Sequence, residues 1–270
     1  MTDSFEFKDK YDFYDLVRIM KALRGEGGCP WDAQQTHESI KKNFIEETYE
    51  VIEAINKKDP ELLCEELGDV LLQVVFHAEM ESESNVFSVD EVTDGICKKL
   101  IERHPHVFGE IKVDGVDDVL SNWDTIKRNT KGQKTQSQAM QSIPRELPAL
   151  MRSTKTQEKA KKAGFDWDNI DDVFSKLDEE IAELKNAYKS GVKKDIEEEL
   201  GDVLFSTVNL SRFLKCDAEE ALTSSCDKFI SRYTKVENLA KERGINMKES
   251  SLEELDKLWD EVKEDCNISM

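Results

Sequence analysis

Between positions 39 and 56 the apolar residues Phe44, Ile45, Tyr49, Val51, Ile52 and Ile55 recur at the three- and four-residue spacing of an α-helix. The same period predicts further helices over 12–23, 61–80, 88–103 and 116–127, and then over 147–163, 170–188, 193–213, 217–243 and 252–265. Asp59-Pro60 supplies an N-cap followed by proline in the first turn. Between the two series lies Asn129 to Ser142, NTKGQKTQSQAMQS, polar and without apolar periodicity, which reads as a linker. The division expected is a first domain at 1–131, a linker at 132–143 and a second domain at 144–270.

The helix over 193–213 carries Leu200, Gly201, Val203, Leu204, Phe205, Val208 and Leu210, apolar around most of its circumference, which predicts burial. On that cylinder Glu199, Asp202, Ser206 and Asn209 form one polar stripe, within roughly 80° at about 100° per residue. The preceding helix carries Glu179-Glu180-x-x-Glu183, and residues three apart share a face. Only Lys189-Ser190-Gly191-Val192 joins the two, so they should fold back as an antiparallel hairpin with the carboxylate pairs facing one pocket.

The first half repeats this design. Glu47, Glu50, Glu66 and Asp69 precede Glu180, Glu183, Glu199 and Asp202 by a constant 133 positions, and Gln73 and His77 extend the stripe in the first copy. Lys99 and Arg103 correspond to Lys228 and Arg232, and Trp123 and Lys127 to Trp259 and Lys263. Gly68 and Gly201 occupy equivalent mid-helix places, where glycine costs about 1 kcal/mol relative to alanine, so a close approach of a helix or ligand is expected there.

Composition narrows the chemistry. A net charge of −20 argues against a nucleic-acid-binding surface, yet leaves room for a nucleotide that arrives with its own Mg²⁺. No apolar run of membrane length and no charged leader with an apolar core appears, so a soluble, cytoplasmic protein is expected. The six cysteines are scattered without a C-x-x-C pair and read as reduced thiols, mostly small core residues. Clustered carboxylates on a buried helix must be protonated, paired or bound to a cation. Histidine is absent beyond position 109, so a metal there would have oxygen ligands only, which selects Mg²⁺ or Mn²⁺. A di-iron bundle is excluded because none of the four histidines has a glutamate three residues before it, and an EF-hand because its D-x-D-x-D-G loop is missing.

E-E-x-x-E followed sixteen residues later by E-x-x-D resembles the MazG-type nucleoside triphosphate pyrophosphohydrolases. The resemblance extends to Gly28-Cys-Pro-Trp-Asp32, Arg103-His-Pro-His-Val-Phe108, Leu147-Pro-Ala-Leu150, Lys162-Ala-Gly-Phe-Asp-Trp167 and both copies of E-E-L-G-D, as in tandem-domain members. It implies two tandem all-α helical-bundle domains that cleave a nucleoside triphosphate between the α and β phosphates. By the same resemblance Glu180, Glu183, Glu199 and Asp202 would bind Mg²⁺, with Glu47, Glu50, Glu66 and Asp69 as the set of the first copy. Glu179 would activate or position water, and Lys228 and Arg232 would pair with phosphates. Lys176, Glu198 and Trp259 would line the nucleotide site, and a homodimer is implied. The rival reading is a non-catalytic acidic module that dimerises or senses nucleotide and Mg²⁺ without turnover.

Overall fold

The computed structural model describes residues 7–130 and 135–268, and every regular element among them is helical. The chain divides into two compact units, Met1–Lys127 and Arg128–Met270.

In the first unit α1 (Phe13–Arg24), α2 (Pro30–Gln34), α3 (His37–Lys57), α4 (Pro60–Glu83), α5 (Val89–Arg103), α6 (Pro105–Phe108) and α7 (Val116–Thr130) follow in order. Their starts are fixed by local chemistry. Asp12 with Asp15, Thr36 with Ser39, and Ser88 with Glu91 form reciprocal capping boxes, and Asp59 caps α4 ahead of Pro60. α3 and α4 form the expected hairpin, α1 lies against α4, and Met20, Ile40, Val75, Phe76, Ala78, Met80 and Val89 make the core.

The second unit holds α8 (Gln136–Gln141), α9 (Ala149–Lys162), α10 (Ile170–Ser190), α11 (Lys193–Phe213), α12 (Ala218–Glu242) and α13 (Leu252–Ile268). α10 ends at Gly191, whose φ of 73° is the left-handed cap that glycine adopts freely, and α11 returns antiparallel to it. α9 packs on α11, while Val236, Ala240, Leu258 and Val262 join α12 to α13.

Several expectations are corrected. The segment read as a linker contains α8, started by a Thr135–Gln138 capping box and tied to α9 by Gln136 Nε2 donating to the Lys159 carbonyl at 2.6 Å; residues 131–134 lie outside the described ones. α11 is not a buried helix: Ser206 and Val208 are buried, but Leu204 is 53% exposed and Leu200 and Phe205 are exposed too. Within one chain α9, α10 and α12 cover only part of its circumference. A Cβ added at Gly68 or Gly201 would meet nothing within 4 Å, so no close intrachain approach accounts for these glycines. Cys64, Cys97, Cys216 and Cys226 are free and exposed rather than core residues, the first two and Cys226 on outward helix faces and Cys216 in the connection between α11 and α12. No helix among the described residues is long and apolar enough to cross a membrane.

Candidate functional site

The hairpin geometry brings Glu180 of α10 and Glu199 and Asp202 of α11 together, each offering a carboxylate oxygen within 4.8 Å of the others. Glu180 is buried, Glu199 half-buried and Asp202 exposed. The same register places Glu47, Glu66 and Asp69 together in the first unit. Partial desolvation raises the Glu199 carboxyl above the usual range, and the neighbouring Asp202 and Glu180 carboxylates push it the same way. Glu183 is raised by desolvation and by its hydrogen bond to Glu180, and Glu47 and Glu66 by desolvation and by each other's acidic neighbours. Such sets of like charges are stabilised by a hard cation with oxygen ligands, and three oxygens this close fit the small coordination sphere of Mg²⁺ or Mn²⁺.

The sequence pattern proposed four ligands per copy, but the close sets hold three. Glu183 and Glu50 are exposed and stand outside them, close enough to act electrostatically on Glu199 and Glu66. They lie one helical turn beyond Glu180 and Glu47, toward the connecting turn of each hairpin.

Lys176, one turn before Glu180, places Nζ at 2.8 Å from Glu180 and 3.0 Å from Glu179, and these bonds raise its pKa. Glu179 is exposed and Glu198 neighbours Glu199 on the solvent side. From this end a cavity of about 610 Å³ extends between α8, α9 and α11. Lys176, Glu180 and Asp202 are its charged lining on the α10 and α11 side, and Met140, Ala160, Phe165, Trp167 and Phe205 supply apolar lining. Its polar groups include Gln157, Ser206, Asn209, Asp166 and Arg212.

Lys228, Arg232 and Trp259 do not line this cavity. Lys228 and Arg232 lie on α12, and Trp259 packs into the α12–α13 core with its ring 5.1 Å from that of Phe229. In the first copy the equivalent Trp123 instead contacts two cations, with the Arg103 guanidinium 5.5 Å and the Lys127 ammonium 4.5 Å from its ring centre. Gln157, Asp166 and Arg212 were missed by sequence reasoning. The Lys-Ala-Gly-Phe-Asp-Trp motif points to the neighbourhood of Asp166, but nothing local marks Gln157 within a lysine-rich helix.

The two copies differ where the cavity lies. Asn209 lines it in the second unit, and the equivalent position of the first, Phe76, is buried in the core with the Arg24 guanidinium 5.3 Å over its ring. Arg24 is held there by Glu83 and by the carbonyls of Asp32 and Gln35. A smaller cavity of about 150 Å³ in the first unit, lined by residues that include Tyr14, Val75, Glu79 and Asp90, touches none of its clustered carboxylates.

The chain matches the MazG nucleotide pyrophosphohydrolase domain in two segments, residues 35–108 and 169–237, which contain the two carboxylate hairpins. It is 45% identical over 251 residues to the nucleoside triphosphate pyrophosphohydrolase/pyrophosphatase MazG of Thermotoga maritima, covering 93% of this chain and 95% of that one. To the nucleoside triphosphate pyrophosphohydrolase of Escherichia coli it is 43% identical, covering 92% and 95%. The uncharacterized protein YabN of Bacillus subtilis shares 44% identity over 94% of this chain and 52% of its own length. With the family domain present twice and relatives matched almost end to end, the chain belongs to the MazG family of nucleotide pyrophosphohydrolases.

Proposed function

We propose that the protein hydrolyses nucleoside triphosphates between the α and β phosphates, releasing a nucleoside monophosphate and pyrophosphate, and that it does so in the second unit. One observation carries this reading: a cluster of three carboxylates, two of which (Glu180 and Asp202) line a largely apolar, aromatic-lined cavity of about 610 Å³, within the usual size range of small-molecule sites. The triphosphate belongs at the charged side and the nucleoside inside.

Glu180, Glu199 and Asp202 would hold Mg²⁺ or Mn²⁺, which when bound supplies neutralisation of phosphate oxygens and an oriented water. Glu183 adds negative charge beside the set. Lys176 fixes Glu180 and Glu179 in place and presents a cation toward the polyphosphate. Glu179, exposed and anchored at 3.0 Å by Lys176, is placed to accept a proton from the attacking water. The α12 pair Lys228 and Arg232 is assigned to polyphosphate binding on the strength of its recurrence and Glu198 to the edge of the nucleotide site, with Trp259 bracing α12 through the α12–α13 core.

A homodimer fits the surface of both hairpins. Ile45, Tyr49 and Ile52 on α3, Leu204 on α11, and Leu222, Phe229 and Ile230 on α12 are large apolar side chains left exposed in the single chain. The domain division follows the repeat, with the first domain ending near 131 and the second domain, from 144, taking in α8 ahead of it. The net charge of −20 argues against a nucleic-acid partner, and the activity belongs to the cytoplasmic nucleotide pool.

Incubation with a mixture of nucleoside triphosphates and Mg²⁺ tests the reading. Equimolar monophosphate and pyrophosphate are expected, with loss of turnover in EDTA and none with thiol-blocking reagents. Diphosphate with orthophosphate would overturn the cleavage position, and tight binding without turnover would establish the sensing module instead.

A further inference from the structure

Two side-chain amides on the cavity wall are held in opposite senses. Gln157 of α9 is 6% exposed; its Nε2 donates to the Phe205 carbonyl at 2.9 Å, while Oε1 is buried with no hydrogen-bond partner. That bond fixes which end of the amide is occupied, so the unsatisfied group is an acceptor. Asn209, one turn beyond Phe205 on α11, accepts at Oδ1 from Arg212 Nε at 3.2 Å and Nη2 at 2.7 Å. Asp166 in turn clamps the Arg212 guanidinium, with Nη1 donating at 3.0 Å and Nη2 closer still. The oxygen of Asn209 is therefore taken and its Nδ2 is the end left to donate. The Thr156 hydroxyl, also on the wall, is already donated to the Arg152 carbonyl at 2.9 Å.

An acceptor and a donor beside aromatic side chains match the makeup of a nucleobase, which has flat faces and an edge carrying both N–H donors and acceptors. We propose that Gln157 and Asn209 are the base-reading pair of this protein: Gln157 Oε1 accepts a hydrogen bond from a base N–H, and Asn209 Nδ2 donates to an acceptor of the same base. Arg212 and Asp166 are positioning residues that set the orientation of Asn209. The inference rests on the nucleoside occupying this cavity, as proposed above. A buried acceptor whose donor is missing from the ligand stays unpaired, so a base lacking the N–H is penalised by about 10-fold or more.

The test measures binding rather than turnover. The full chain with Mg²⁺ is titrated with non-hydrolysable α,β-methylene triphosphates in pairs that differ in one donor group of the base, an amino group or a ring N–H: adenine and purine, cytosine and 2-pyrimidinone, uracil and N3-methyluracil, guanine and N1-methylguanine. The N–H-bearing member of the best-bound pair should bind at least about 10-fold more tightly. In Gln157→Met, of similar size but without the acceptor, that ratio should fall to within about 3-fold. Asn209→Leu should weaken binding of both members. If the wild-type protein binds both members of every pair equally, the inference is overturned whether or not the variants fold, and a ratio that survives Gln157→Met overturns it as well. Turnover of unmodified triphosphates, measured in parallel, separates the outcomes. Hydrolysis without discrimination leaves the proposed function standing and removes this inference, whereas discrimination without hydrolysis does the reverse. Binding of no triphosphate at all overturns both.

Discussion

Glu180 is buried beside two further carboxylates, and Lys176 is the cation that makes this tolerable in the absence of a metal ion. The hydrogen bonds to Glu180 and Glu179 raise the lysine pKa, so its stabilising contribution is complete below the ordinary lysine value of about 10.4 and is lost only as pH rises through the higher folded value. Across neutral pH Lys176→Met should therefore lower the melting temperature, and added Mg²⁺ should recover part of the loss. The carboxyls titrate with the opposite sign. Glu199 and Glu183 are raised, so the folded, metal-free state takes up protons more readily than the unfolded chain and is relatively favoured as pH falls through that range. Protons and Mg²⁺ compete for the same oxygens, and raised carboxyls take up protons sooner as pH falls, so the Mg²⁺-induced rise in melting temperature should be larger at about pH 7.5 than at about pH 5. A rise independent of pH, read by calorimetry, would contradict carboxylate ligation. Asp15 behaves in the usual acidic way: bonds from Lys8, the Asp12 backbone and Arg18 hold it well below the carboxylate range. Its contribution is full above about pH 4 and fades as pH falls below that, so Asp15→Asn should destabilise at neutral pH and progressively less in strong acid.

At the scale of elements, much was legible in the sequence because long amphipathic helices carry a period that a window can detect. The ten long helices start and stop within a few residues of expectation, and the carboxylates of α3, α4, α10 and α11 meet as their three-residue spacing requires. α2, α6 and α8, at five, four and six residues, are too short to show a period; their starts rest on Pro30, on Pro105 and on the Thr135–Gln138 box. The burial of α11 was misread because apolar residues around a helix state that it needs cover, not that its own chain provides it. The cavity was illegible for a related reason: Gln157 meets Phe205 only through the packing of α9 on α11, which leaves no mark in local spacing. The uncovered faces carry a prediction of their own. Leu204→Glu or Ile230→Glu places a charge in the proposed dimer surface and should shift the protein toward monomer in sedimentation equilibrium, with little change in helicity. A wild-type protein that is monomeric at tens of micromolar would remove the dimer from the account.

Over the whole molecule the repeat supplies two hairpins with equivalent acidic sets, and the difference between them is what surrounds each set. In the first unit Phe76 and Arg24 fill the region that Asn209 leaves open in the second, and the large cavity reaches Glu180 and Asp202. α9 also brings Lys155, Lys159, Lys161 and Lys162 close in sequence, a local positive run in a chain of net charge −20 that favours approach of a polyanion. Both units keep their clustered carboxylates, so the proposed division of labour rests on access rather than on the acidic sets. The most direct test compares Glu199→Gln with Glu66→Gln, each of which keeps side-chain size and removes one ligand charge, by following pyrophosphate release from the same nucleoside triphosphates. The account predicts a loss on the order of 10³-fold or more for Glu199→Gln and a much smaller one for Glu66→Gln. Abolished activity in Glu66→Gln with most activity retained in Glu199→Gln would contradict it, and comparable partial losses would mean two working sites.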